Sequence, residues 1–139
     1  MRARARPHPR AVLRAAGGRA LMEVTRIAEA KAYQAPKHHD VAAMRLQGFD
    51  VSGVKAFWVG FSRYEPGGRA ERDASGTEKV YIVLEGEITV VTDDQEAVLG
   101  PMDSCFLAPG EARAVENRTQ ARASMLVVME YPPGTPART

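Results

Sequence analysis

From residue 41 onward the apolar positions come in short runs separated by turn-forming residues. Within most runs they alternate with polar ones, the period-two pattern of half-buried strands. Residues 78–91 carry this pattern most densely, as two runs rich in Val, Ile, Tyr and Thr around Glu85-Gly86-Glu87. They predict a hairpin turning at Gly86, since glycine takes tight-turn angles without a Cβ penalty. Alternation places Lys79, Tyr81 and Val83 on one face of the first strand and Val80, Ile82 and Leu84 on the other, so a charged residue opens one face of a core strand. Further strands are predicted over 41–46, 55–64, 97–99, 104–107, 113–116 and 124–131. Glu65-Pro66-Gly67-Gly68 stops the second of these, and a polar segment over 69–77 follows. Eight or nine short strands at this spacing, with no helical period after residue 41, predict an all-β, antiparallel sandwich or barrel.

Composition bounds the rest. A chain of 139 residues and 15.1 kDa holds one domain with a real core. It contains no apolar run near the roughly 20 residues of a membrane-spanning helix. The lone Cys105 cannot close an internal disulfide, which fits a reducing compartment and a cytoplasmic protein. The net charge of +2 is unevenly spread: residues 1–21 hold six Arg and no acid, leaving 13 basic against 17 acidic residues in the remainder. A short basic arm without aromatic residues is a poor basis for nucleic-acid binding, and none is expected. Three readings fit residues 1–21: a disordered extension, a targeting segment or a basic contact arm. Residues 22–131 form the predicted domain, and 132–139, with three prolines, a disordered tail. His38-His39 reads as a solvated loop pair, and Cys105, in a β-run, as core.

The order of these pieces resembles the cupin family of small jelly-roll barrels, over about residues 49 to 131. The family's first motif, G-x5-H-x-H-x3-E-x6-G, falls on Gly67, Asp73, Ser75, Lys79 and Gly86. The second, G-x5-P-x-G-x2-H-x3-N, falls on Met102, Ala108, Gly110, Arg113 and Asn117. Both outer glycines of the first motif match, as do Gly110 and Asn117. The resemblance implies an antiparallel jelly roll and a homodimer, with edge segments such as 37–46 covered by the partner chain. In metal-dependent members the three His and the Glu bind a divalent ion. Here those places hold Asp73, Ser75, Lys79 and Arg113, and neither Lys nor Arg offers a lone pair at neutral pH. No metal and no other cofactor is expected.

Since the family's motif positions point inward, the resemblance puts Lys79 and Arg113 inside the barrel, where buried charge needs a partner. Two partners are open. Asp73, Glu71 or Glu78 could plug the site as internal ion pairs, or a small organic anion such as a carboxylate, sugar acid or phosphate could be held by Arg113 and Lys79. Three functions follow. One is a metal-independent barrel binding that anion, with Arg113, Lys79, Asp73 and Glu71 as ligand-binding residues. A second is a cofactor-free isomerase, epimerase or lyase, with Lys79 as general base, Tyr81 as hydroxyl donor and Arg113 as clamp. The third is a structural dimerising barrel with a salt-bridged interior.

Overall fold

The computed structural model describes residues 22–135. The Arg-rich arm and the last four residues of the tail lie outside the described residues. A 3-10 turn at Ile27–Glu29 leads into nine strands: β1 Ala32–Tyr33, β2 His38–Gln47, β3 Trp58–Asp73, β4 Lys79–Glu85, β5 Ile88–Thr92, β6 Glu96–Leu99, β7 Ser104–Leu107, β8 Arg113–Glu116 and β9 Ala123–Met129. They pair in the order β6-β5-β8-β3-β9-β4-β7, with β2 also on β3 and β1 on β2, and every pairing is antiparallel. The sheet curls into a jelly-roll barrel left open between its two end strands, β6 and β7. Among the described residues no helix is long and apolar enough to cross a membrane.

One strand makes the curl possible. The residues 65–68 do not end the strand, as their turn chemistry predicts; β3 continues through them for 16 residues. Its first half, Trp58 to Tyr64, pairs with β9, and its second half pairs with β8 through Arg69, Ala70 and Asp73. Pro66-Gly67-Gly68 is therefore a corner rather than a stop. Gly67 takes φ +79°, and a Cβ on Gly68 would meet the Asp40 carbonyl at 2.5 Å, so the bend needs small residues. Asn117 holds the corner: its side-chain amide donates to the carbonyls of Tyr64, Glu65 and Ala121 at 3.1, 3.2 and 2.8 Å, and its backbone exchanges bonds with Gly67 and Gly68.

The predicted hairpin at Gly86 is also corrected. β4 has both edges filled, by β7 and β9, so no edge is left for β5, which pairs with β6 and β8 instead. Glu85-Gly86-Glu87 carries the chain across the barrel end from one wall to the other, with Val83 and Ile88 fully buried on either side. β7 and β8 appear where the pattern puts them. Met125, Val115, Tyr64 and Ala123 complete the core. The segment 37–46 is less bare than expected, since Ala43 and Met44 are covered by β1.

Gly86 sits at φ +73°, and a Cβ there would meet the Arg122 carbonyl at 2.6 Å. Gly86→Ala should cost about 2–3 kcal/mol through strain and collision. Gly76→Ala, with open space around it, should change stability by less than about 1 kcal/mol. Equal losses in a denaturant titration of the two variants would remove the crossover argument.

Candidate functional site

The alternation read from sequence holds in β4: Lys79, Tyr81 and Val83 are buried, while Val80, Ile82 and Leu84 face outward. Register extends these positions into rows across the inner wall. One row runs Leu107, Lys79, Met129, Trp58, and the next Cys105, Tyr81, Val127, Gly60, Arg45. Arg113, 9% exposed, joins them from β8, where its Cα partners are Asp73 and Thr92.

The structure brings Lys79, Tyr81 and Arg113 together. Arg113 Nε donates to the Tyr81 hydroxyl at 2.7 Å, and its Nη1 donates to the Glu71 carbonyl at 3.0 Å. Both acceptors are neutral. Lys79 is 4% exposed, and its side chain makes neither a hydrogen bond nor an ion pair among the described residues. Burial, then the Arg113 charge, pulls its ammonium down to about 8, against a smaller opposing pull from Asp73. Burial raises Tyr81 as well, so its phenol stays protonated.

Glu71 and Asp73 are not brought into the interior. Both are exposed at the barrel mouth, where Glu71 Oε2 meets His39 Nε2 at 3.0 Å and Asp73 Oδ1 meets Lys37 Nζ at 3.5 Å. The His39 hydrogen bond lowers the Glu71 carboxyl, and the Ala74 N–H lowers that of Asp73. Glu78 forms no ion pair; its backbone N–H donates to Glu130. The internal salt-bridge plug is therefore absent among the described residues. His38 and His39 open β2 rather than lying in a loop. His38, lowered by burial, has its Nδ1 2.7 Å from the Pro36 carbonyl.

The residues at the family's metal positions do not fit a metal. Asp73 is turned to Lys37, Ser75 Oγ lies 3.3 Å from Thr77 Oγ1, and Lys79 and Arg113 are cations. Among the described residues no three His, Cys, Asp or Glu side chains gather as a metal ion requires.

Several interior groups escaped the sequence reading. Tyr64 is fully buried, and its hydroxyl has no partner; burial raises its phenol strongly. Arg45 lies between the Tyr33 and Phe49 rings, 4.6 and 4.0 Å from their centroids, and its Nε and the Trp58 indole nitrogen are also buried without hydrogen bonds. Among the described residues these three unpartnered buried atoms belong to inward positions of β2 and β3. A period-two count marks such positions as apolar wall and carries no signal that their polar tips go unmatched.

A cavity of about 240 Å³ opens in the slot between β6 and β7, lined among others by Thr92, Asp94, Gln95, Cys105 and Glu111. It does not include Lys79 or Arg113. Its back wall adjoins them in register, because Cys105 stands opposite Tyr81, Leu107 opposite Lys79, and Thr92 opposite Arg113. Cys105 is half-buried on this wall, and burial pushes its thiol up, which suits packing better than nucleophilic attack.

Comparison with known proteins places this geometry. The family model described as a cupin domain matches residues 60–129. A Mycobacterium tuberculosis protein named beta-D-galactosidase is 48% identical over 111 residues, covering 80% of this chain and 96% of that protein. The polyketide cyclase RemF of Streptomyces resistomycificus is 21% identical with a TM-score of 0.73 over 81% of this chain and 82% of its own, a likeness of fold. A sugar phosphate isomerase of the cupin superfamily from Silicibacter pomeroyi is 28% identical with a TM-score of 0.57, over 66% of this chain and 60% of that one. With its corner, inner rows and motif glycines in place, the chain belongs to the cupin family.

Proposed function

We propose that this protein binds a small organic anion, a carboxylate or phosphate on a sugar-derived body, inside its barrel. The observation that carries the reading is Lys79, buried with no direct ion pair among the described residues and only a weak pull from Asp73 at the mouth, beside an Arg113 whose hydrogen bonds go to neutral oxygens. Two cations in a poorly solvated interior repel, and an entering anion removes both the repulsion and the lost solvation. Arg113 keeps further N–H groups for a carboxylate or phosphate, and Lys79 supplies a point charge. A sugar body is supported by the names of two relatives, a beta-D-galactosidase and a sugar phosphate isomerase. The slot between β6 and β7 is the approach, since its back wall adjoins both cations.

A second reading makes the same site catalytic, and Lys79 favours it. An amine held at about 8 is partly neutral near physiological pH, and so can take a proton from a carbon beside a carboxylate clamped by Arg113 and return it, as an isomerase, epimerase or lyase requires. Glycoside hydrolysis, the activity in the relative's name, commonly uses a carboxylic acid as proton donor. Glu71 and Asp73 are held ionised at the mouth, so on this reading protonated Lys79 would give its proton to the leaving oxygen, water would add to the anomeric carbon, and the amine would take back a proton from that water.

A thermal-shift titration with D-galacturonate, D-galactonate and galactose 6-phosphate should raise the Tm of the wild type with at least one of them. Arg113→Met should lose that shift at a stability cost of about 1–2 kcal/mol, because it strands only a hydroxyl and a carbonyl. A loss of several kcal/mol would reveal an internal carboxylate partner, and unchanged ligand response would remove Arg113 from the site. Hydrolysis of a chromogenic β-D-galactoside by the wild type but not by Lys79→Met would favour the catalytic reading.

Lys79 also predicts a pH dependence. Below pH 8 both folded and unfolded chains carry its proton, and the fold bears the full cost of the buried charge. Between about 8 and 10.5 the unfolded chain keeps a proton that the folded one has released, so this group makes stability rise with pH. Lys79→Met should therefore be more stable than wild type at pH 7, by about 1–2 kcal/mol once solvent screening of the amine is counted. That advantage should shrink toward pH 10. Urea titrations of both proteins from pH 7 to 10 read this difference directly, and an advantage constant with pH would mean that Lys79 is not desolvated.

A further inference from the structure

We propose that His38 is a second catalytic group of this site, a general base whose Nε2 takes a proton from the water that adds to an anomeric carbon while Lys79 protonates the leaving oxygen. This role rests on the catalytic reading above, and it divides acid and base work that the amine would otherwise do alone.

Register turns His38 inward. Its Cα partner is Ala70, 1% exposed, which pairs in turn with the fully buried Val115. His39, one residue on, stands opposite Arg69 and faces out to Glu71. Plain alternation would then turn Val41 outward as well, yet Val41 packs against the core opposite Tyr64. The register shift between His39 and Val41 is what lets both His38 and Val41 face the interior. Backbone strain marks the same place: Lys37 has φ +60° and Asp40 φ +55°, and neither is glycine. Such angles persist where the surroundings over-determine them. Lys37 is held by its carbonyl, which accepts from the Glu71 N–H at 2.9 Å, and by its Nζ on Asp73.

The imidazole is set up to accept a proton. Its Nδ1 lies 2.7 Å from the Pro36 carbonyl, which can only accept, so Nδ1 carries the hydrogen and Nε2 the lone pair. Among the described residues Nε2 has no hydrogen bond, and the ring is half-buried rather than sealed in. The anion clamp is adjacent: Arg113 Nη1 donates to the carbonyl of Glu71, the residue after Ala70. Burial lowers the imidazole below its ordinary value, with Arg113 and His39 reinforcing this and the Pro36 carbonyl and Asp73 opposing it. Lys37 and Glu71, the other charges at this mouth, are paired with Asp73 and His39.

His38 pairs with the second half of β3, in the wall of β8, whereas Lys79 lies on β4 in the other wall. An acid and a base on opposite walls suit attack on one face of a sugar ring and departure from the other. A Lys79 proton passes to the glycosidic oxygen as its bond to the anomeric carbon breaks, the water oxygen bonds to that carbon, and a water proton passes to Nε2. Lys79 is left neutral and His38 cationic, and one proton returned from His38 to Lys79 through water restores both.

Hydrolysis of a chromogenic β-D-galactoside should therefore plateau between the lowered His38 value and about 8, falling below it as His38 gains a proton and above it as Lys79 loses one. His38→Gln should lose about 100-fold or more in kcat with KM within about threefold, and its profile should lack the acid limb. His39→Gln should keep that limb. In nitrogen NMR of the labelled protein, His38 should be the Nδ1–H tautomer, and D-galacturonate should shift its Nε2 signal in the wild type but not in Arg113→Met. An Nε2–H tautomer, a galacturonate that raises Tm without moving the His38 signal, or an acid limb that survives His38→Gln would each overturn the role of His38 and leave the anion site standing. A wild type that binds galacturonate but hydrolyses no galactoside would overturn it too. No response to any of the three sugar acids and phosphates, together with no hydrolysis, would instead overturn the reading on which it rests.

Discussion

The barrel depends on one corner. A strand that bends between two walls leaves carbonyls out of the ladder, and each buried, unpaired one would cost about 1–3 kcal/mol. Asn117 answers this with a single amide shared among the carbonyls of Tyr64, Glu65 and Ala121, while its own side-chain oxygen accepts from Thr119. The first half of β3 can then present Trp58, Gly60 and Ser62 to the interior beside β9, and the second half can bring Asp73 beside Arg113. Without the corner, Lys79 and Arg113 would belong to separate sheets with nothing to hold them across one space.

What the corner encloses has an unusual balance of polar groups. The interior offers donors, from Lys79, Arg113, the Tyr64 hydroxyl, the Arg45 Nε and the Trp58 indole, and among the described residues no carboxylate hydrogen-bonds to them, Asp73 acting on Lys79 and Arg113 only from the mouth. Unpaired donors in a core lower stability, and sequences tolerate them where the group serves something other than folding. Arg45 and Trp58 are cushioned by ring contacts, with Trp58 edge-on to Tyr33 and Phe49 at 6.4 and 5.3 Å. Lys79 has no such cushion, and burial with the Arg113 charge lowers its ammonium.

How much of this was legible in the sequence follows from how local each signal is. β6, β7 and β8 are short runs bounded by local turn signals, Asp93-Asp94-Gln95, Gly100-Pro101, Pro109-Gly110 and Asn117 to Gln120, and they appear where the pattern puts them, within a residue. The facing of Lys79 and Tyr81 was equally plain, because alternation is a property of the strand itself. Pro66-Gly67-Gly68 was misread as a stop because the same residues bend a strand or end it, depending on whether a partner such as Asn117 takes up the freed groups. The Gly86 hairpin failed for a global reason: a strand has two edges, and only the whole topology shows that β7 and β9 already occupy both edges of β4. Glu71 and Asp73 look like natural counter-ions on paper. His39 and Lys37 claim them first, a pairing set by the β2·β3 register.

The cupin scaffold therefore keeps its geometry here while the polarity of its centre is reversed. Two of the positions that in metal-dependent members turn lone pairs toward a cation, Lys79 and Arg113, carry N–H groups here, while Asp73 and Ser75 turn to Lys37 and Thr77. The reversal involves more than losing ligands, since neutral apolar substitutions would have closed the metal site without the desolvation that Lys79 bears. Two cations at inward positions are what the proposed anion site would use, and the slot between β6 and β7 is an open volume whose back wall adjoins both.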